Sequence, residues 1–283
     1  MTTSALFAPR SRSIIGMVHL RALPGAAGAA APEAILRDAR SDAATLAAGG
    51  VDAIMVENNY DLPHRETILP ETLAMFAVAA AEIRRAVTVP LGICALWNDY
   101  RASFAIARAV GAAFIRIPVL VDTVRTAYGT FRGLPEQVQE VRRELRADSI
   151  AVMADIHVKH AELLSTMTLA ESAKAAAAAG ADGLIVTGGW TGDPPRIEDL
   201  QTAAQAGLPV FVGSGATPAN VGALLGEADG IIVGTALKEG RAHAPEEEVN
   251  LKSADQRIEL ARVQAFMAAV RGHAPAGEGC RGW

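Results

Sequence analysis

Residues 209–218 read PVFVGSGATP and residues 229–238 read DGIIVGTALK. Each is a short apolar run that stops at glycine, at Gly213-Ser214-Gly215 in the first and at Gly234-Thr235 in the second. Between them Thr217 suits a helix N-cap and Pro218 the first helical position. A strand that ends in small residues just before a helix N-terminus leaves backbone N–H groups open to an anion. Two such ends in succession are what the last two strands of a (β/α)8 barrel provide. The plainer reading, two tight βα turns, asks less of the same glycines.

Working outward, strand-like runs fall at 13–20, 52–58, 89–96, 113–119, 149–158, 183–187, 209–213 and 230–233. Helical patterns alternate with them at 33–48, 70–86, 99–110, 134–146, 169–179, 197–206 and 218–225, and a last one at 254–270 follows the final strand. Gly49-Gly50, Gly111, Gly180 and Gly207 each stand just before a strand, where a helix-terminating glycine belongs. Repeated βα units require parallel strands with right-handed crossovers, and eight of them close into a barrel. An open doubly wound sheet is the alternative, but no GxGxxG follows the first strand. The expected organisation is an N-terminal arm at 1–12, one α/β (β/α)8 TIM-barrel domain at 13–271 and a disordered tail at 272–283. Long loops at 21–32 and 120–133 leave C-terminal strand ends and are candidate lids.

At 283 residues the chain has the size of one barrel, and its 51% hydrophobic content argues against disorder. A net charge of −5 offers no basic field to nucleic acid. The two cysteines, Cys94 and Cys280, make no disulfide framework, so a reducing cytoplasm fits. No apolar stretch reaches a membrane span, while peripheral membrane contact stays open. Homo-oligomers are common among such barrels and one is expected here.

Strand alternation sorts inside from outside. In Ala154-Asp155-Ile156-His157-Val158-Lys159 one parity is apolar, and the other carries Asp155, His157 and Lys159 towards the barrel mouth. The same logic turns Arg116 and Glu57 inward, and His19 ends the first strand near the mouth. A buried guanidinium demands a carboxylate or an anionic ligand. Lys159 suits a proton donor or a Schiff-base amine, and Asp155 or Glu57 a general base beside a carbonyl. His19, Glu57, Asp155 and His157 are also N/O donors for a divalent metal such as Zn or Mn, though no tight ligand spacing supports one.

Other residues carry open readings. Asn58, Asn59 and Asp61 contact a sugar or cap their loop. Asp99 is read as an N-cap. Gly188 in the loop after strand six is a further candidate phosphate contact, and Trp190 covers a ring or merely packs. Cys94 is read as a small core residue. Lys238 approaches an anion or faces solvent.

Several of these stretches together resemble the BtpA family. They are Gly16-Met17-Val18-His19-Leu20 with Leu23-Pro24-Gly25, Gly50 to Asn58, Ala154 to Ala161, and Val212-Gly213-Ser214-Gly215. Phe114-Ile115-Arg116, Thr187-Gly188 and Gly230 to Thr235 fit as well, so the resemblance covers about residues 13 to 270. It implies a barrel related to phosphoribosylanthranilate isomerase and similar phosphate-binding enzymes, in a family named for a factor in photosystem I biogenesis. The chain departs from the family pattern at Trp97, Pro118, Ala127 and Tyr128. There the resemblance implies Arg-Asn-Asp, Arg-Val-Asn and Thr-Asp-Gln-Gly, so an acidic and an amide group are lost near the mouth.

The expected function is therefore an enzyme, an isomerase, epimerase, aldolase-type lyase or glycosidic-bond-cleaving one, on a small phosphorylated sugar or nucleotide-derived metabolite. Ser214, Gly215, Gly234 and Thr235, with Gly188 and Gly213, would hold the phosphate, opposite His19, Glu57, Arg116, Asp155, His157 and Lys159. One alternative is a non-catalytic assembly factor for a membrane complex, with Glu246-Glu247-Glu248 as a docking surface. Another is a metal-dependent hydrolase.

Overall fold

The computed structural model describes residues 3–240 and 253–273. In chain order the strands are β1 Ser13–His19, β2 Ala53–Glu57, β3 Leu91–Cys94, β4 Phe114–Ile117, β5 Thr123–Thr126 and β6 Gly129–Arg132. They continue with β7 Ala151–Ile156, β8 Glu162–Leu163, β9 Gly183–Val186, β10 Val210–Val212 and β11 Gly230–Val233. The helices are α1 Thr3–Leu6, α2 Pro32–Gly49, α3 Pro70–Ala86, α4 Tyr100–Val110 and α5 Pro135–Glu144. After them come α6 Leu169–Ala178, α7 Ile197–Ala204, α8 Val221–Glu227 and α9 Leu260–Gly272. Eight parallel strands close into a barrel in the ring order β1-β11-β10-β9-β7-β4-β3-β2.

Local chemistry explains the alternation. Gly50, Gly111, Gly180 and Gly207 all take positive φ, the left-handed turn that ends a helix and feeds the next strand. The Asp99 carboxylate caps α4 by accepting from the Ala102 amide at 2.9 Å. Thr168 and Glu171 form a reciprocal capping box on α6.

Two apolar layers result. Ile14, Val18, Ile54, Val56, Ile93, Ile115, Val152 and Leu184 point outward under the helices. Ile15, Met17, Met55, Phe114, Met153, Ile185, Phe211 and Ile232 fill the barrel. The arm at 1–12 contributes the fully buried Leu6, and its Phe7 ring packs edge-on against Phe114 and Phe211 at 6.0 and 5.7 Å. Gly92 makes room for this packing, since a Cβ there would stand 2.0 Å from Phe114 Cε2. Gly92→Ala is expected to cost about 1–3 kcal/mol by overpacking. Urea unfolding checks it; an unchanged midpoint would show that the interior yields.

Three expectations are corrected. The segment 120–133 is not an irregular loop but the hairpin β5–β6, to which β8 adds a third antiparallel strand. Its buried side chains, Val124 and Phe131, alternate with exposed polar ones in strands too short to stand out. Thr217 does not cap a helix beginning at Pro218. Its amide donates to Asn220 Oδ1 at 2.7 Å, and α8 starts only after Asn220. The last helix begins at Leu260 rather than 254, because Ile258 forms an antiparallel bridge with Lys238. Glu246-Glu247-Glu248, Cys280 and the tail beyond residue 273 lie outside the described residues. Among the described residues no helix is long and apolar enough to cross a membrane.

Candidate active site

The C-terminal strand ends open into one cavity of about 950 Å³. At its inner end the strand alternation places ionisable groups above the apolar filling. Asp155 accepts twice from Arg116, at 2.8 Å from Nε and 2.7 Å from Nη2. Arg116 Nη1 lies 3.5 Å from Glu57 Oε1, and Glu57 Oε2 lies 3.6 Å from His19 Nε2. These groups form a continuous polar band from β7 through β4 and β2 to β1.

Burial and neighbouring charge set their protonation. Burial opposes the Arg116 charge, but the Asp155 charge and hydrogen bonds more than offset it, so the guanidinium is held charged. Burial first, then Lys238, Lys159 and Arg116, holds the His19 imidazole well below its usual range, so it is neutral near pH 7. Burial and then Arg116 bring the Lys159 ammonium down to about 8. Lys238 is 1% exposed; its Nζ meets Tyr60 Oη at 2.9 Å and stands 5.0 Å from that ring's centre. Three cations, Arg116, Lys159 and Lys238, thus share the inner mouth with the carboxylates Glu57 and Asp155.

The glycine ends face the same cavity. Gly213, Ser214, Gly215, Gly234 and Thr235 all line it. Among the described residues the amides of Ser214, Gly215, Ala216, Gly234, Thr235 and Ala236 make no hydrogen bond. Gly215 has φ +70, and a Cβ there would run into the Asp193–Pro194 backbone. The Gly213 amide, by contrast, donates to Val186 O at 2.9 Å, as part of the barrel. The Gly188 amide donates to Ser214 Oγ at 3.0 Å, and that hydroxyl donates to Asp193 O at 2.6 Å. Gly213 and Gly188 therefore shape the turn rather than offer their N–H groups, and the Ser214 side chain fastens one loop to the next.

His19, Glu57, Arg116 and Lys159 come together in the cavity lining. His157 does not join them. β7 ends at Ile156, and His157 takes φ +51, which breaks the alternation. Its Nε2 instead lies 3.3 Å from Ser172 Oγ on α6. Asp155 faces inward as expected but sits at 1% exposure below the cavity, with both oxygens occupied by Arg116. The metal reading suffers from both facts: among the described residues no three His, Cys, Asp or Glu side chains gather to hold an ion.

Asn58 and Asp61 prove to be fasteners. Asn58 Oδ1 accepts from the Leu96 amide at 2.7 Å, and Asp61 Oδ1 accepts from the Leu23 amide at 2.7 Å. Asn59 lines the cavity. Trp190 is 56% exposed at the rim, edge-on to His160 at 5.1 Å. Cys94 is buried in the barrel beside Glu57, its register partner on the neighbouring strand, and burial pushes its thiol well up. Sequence reasoning missed Tyr60, His64 and His160, all of which line the cavity. His160 stands in a quoted motif, but no periodicity marks a loop residue for a wall.

The barrel and its polar mouth define a (β/α)8 protein with an open site at the C-terminal strand ends. The chain belongs to the BtpA family, whose profile matches residues 10–268. It is 44% identical to an uncharacterized protein of Pyrococcus abyssi over 81% of this chain and 89% of that one. It is 38% identical to photosystem I biogenesis protein BtpA of Synechocystis sp. over 91% of this chain and 87% of the relative. Among solved structures, phosphoribosyl anthranilate isomerase from Thermus thermophilus superposes with a TM-score of 0.56 at 15% identity. That match covers 92% of this chain and 98% of the other.

Proposed function

We propose that the protein is an enzyme of the isomerase or lyase type acting on a small phosphorylated metabolite. One observation carries this reading: the unpaired amides after β10 and β11 belong to residues that line one cavity together with Lys159, Lys238 and Arg116. Backbone N–H groups with no internal acceptor, beside buried lysine and arginine, match a phosphate. The name of the Thermus barrel, a phosphoribosyl anthranilate isomerase, agrees with that chemistry. Phosphate binding would fix the substrate so that its other end meets Glu57 and Lys159, with neutral His19 beside Gly234 at the phosphate end. Glu57 then serves as base and Lys159 as proton donor or amine nucleophile, while Asp155 holds Arg116 in place.

Thermal denaturation with inorganic phosphate and a panel of sugar phosphates tests the reading. A ligand present at a hundredfold excess over its Kd adds about 2.7 kcal/mol to stability. Phosphorylated compounds are expected to raise the melting temperature and their dephosphorylated forms to leave it unchanged. A panel without any phosphate-dependent shift would overturn the proposal.

The Synechocystis relative's name favours a second reading, a biogenesis factor for a membrane complex. Complementation of a strain lacking that relative separates the two. Rescue by Lys159→Met as fully as by the unchanged chain would assign a role without chemistry at this site.

A further inference from the structure

In the closed ring β4 stands opposite β11 and β3 opposite β10. The wall across the mouth from the unpaired amides is therefore built by the connections that leave β2, β3 and β4. It is aromatic. Trp97 leaves β3 and packs against Phe131 of the hairpin at 5.1 Å, with the planes tilted 32°. Tyr128, at the hairpin turn, meets His64 edge-to-face at 4.9 Å and 80°. His64, Leu96, Trp97 and Tyr128 all line the cavity.

The backbone behind this wall is cross-tied. Asn58 holds the Leu96 amide, the Trp97 amide donates to Arg65 O at 2.9 Å, and Asn98 exchanges two hydrogen bonds with Val119 at 2.9 Å. Such fastening keeps the rings in place without a ligand. Within it His64 is anomalous. It is 5% exposed, makes no hydrogen bond with any described residue, and its Nδ1 is buried without a partner. Burial lowers its imidazole to about 4, so it is neutral near pH 7, with one donor and one acceptor nitrogen. Buried polar groups in native proteins are nearly always paired. Nδ1 is covered, so it is the other ring nitrogen, equally without a hydrogen bond, that a ligand in the cavity can reach and partner.

We propose that His64, Leu96, Trp97 and Tyr128 form a compartment for a planar aromatic or heteroaromatic group, with the His64 imidazole as its polar contact. This deepens the phosphate reading above and rests on it. The substrate class becomes a phosphorylated compound that carries a ring at the end remote from its phosphate.

Calorimetry with a series of phenylalkyl phosphates of increasing spacer length tests this, against cyclohexylalkyl phosphates, plain alkyl phosphates and inorganic phosphate. At the best spacer the phenyl compound is expected to bind about fivefold to tenfold more tightly than its cyclohexyl counterpart. Trp97→Leu should remove that preference while leaving inorganic phosphate affinity unchanged. Tyr128→Leu, on the hairpin turn, serves the same purpose if Trp97→Leu fails to fold. An aminophenyl compound should gain further affinity over phenyl, and His64→Phe, which keeps a ring against Tyr128, should abolish that gain alone. Equal affinity for phenyl and cyclohexyl compounds would overturn the aromatic compartment and leave the phosphate reading intact. No gain from the amino group would remove His64 from it. Phenylalkanols that bind as well as their phosphates would instead overturn the phosphate reading and keep the compartment.

Discussion

Replacing Arg116 by methionine is expected to destabilise the barrel by about 3–5 kcal/mol, the range for removing one partner of a buried ion pair. Arg116 is 7% exposed and Asp155 1%, and the guanidinium donates to both Asp155 oxygens. Methionine fills much of the same volume but strips the buried carboxylate of both guanidinium hydrogen bonds and of its nearest counter-charge, leaving only the more distant Lys159. Adding Asp155→Leu removes the stranded charge, and the double variant should recover most of the loss, since an apolar replacement of a whole buried pair is often neutral. Urea unfolding of both single variants and the double variant closes the cycle. A midpoint for Arg116→Met equal to that of the unchanged protein would mean that the pair contributes nothing.

The same pair shows where sequence reasoning reaches. Arg116, Glu57 and His19 are legible because β4, β2 and β1 keep strict alternation up to those residues. Ile115 and Val56 therefore go outward while their neighbours go inward. The repeating units are legible for a similar reason, since a left-handed glycine ends several helices just ahead of a strand. Legibility stops where periodicity stops. His157 lies one residue past the end of β7, and a single positive φ sends its side chain under α6. The Asn220 side chain takes the Thr217 amide and so delays α8, a local bond that competes with the expected cap. His64 and Tyr128 stand in connections, where only the closed ring order brings them to one wall. Whether the backbone N–H groups after β10 and β11 are spoken for is likewise a tertiary fact. Glycine content marks all of them alike, and only neighbouring acceptors separate Gly213 from Gly215.

Lys159→Met is expected to lower turnover by about 10²–10⁴-fold, the range for loss of a positioned acid or base. Binding of inorganic phosphate should fall far less than turnover, because the unpaired amides belong to other strand ends and Lys238 and Arg116 remain. The assay uses whichever phosphorylated compound the thermal panel selects. Stability should move the other way. Burial and Arg116 hold the folded-state pKa near 8, below the ordinary value of 10.5. Between those two values the unfolded chain binds more protons, so the unchanged protein gains stability as pH rises across that window. Below about pH 8 both states carry the charge and the whole burial cost remains. Methionine should remove the slope and stabilise the protein near pH 7 by something on the order of 1–3 kcal/mol. A gain in stability of that size would mark the lysine as placed for chemistry rather than packing. Its role is then set by the pH profile. Turnover that falls as pH rises through about 8 assigns the ammonium as proton donor. Turnover that rises there, with borohydride trapping substrate on Lys159, assigns the free amine as nucleophile. Undiminished turnover in Lys159→Met would remove the lysine from the reaction, and an unaltered melting temperature would remove the burial cost inferred for it.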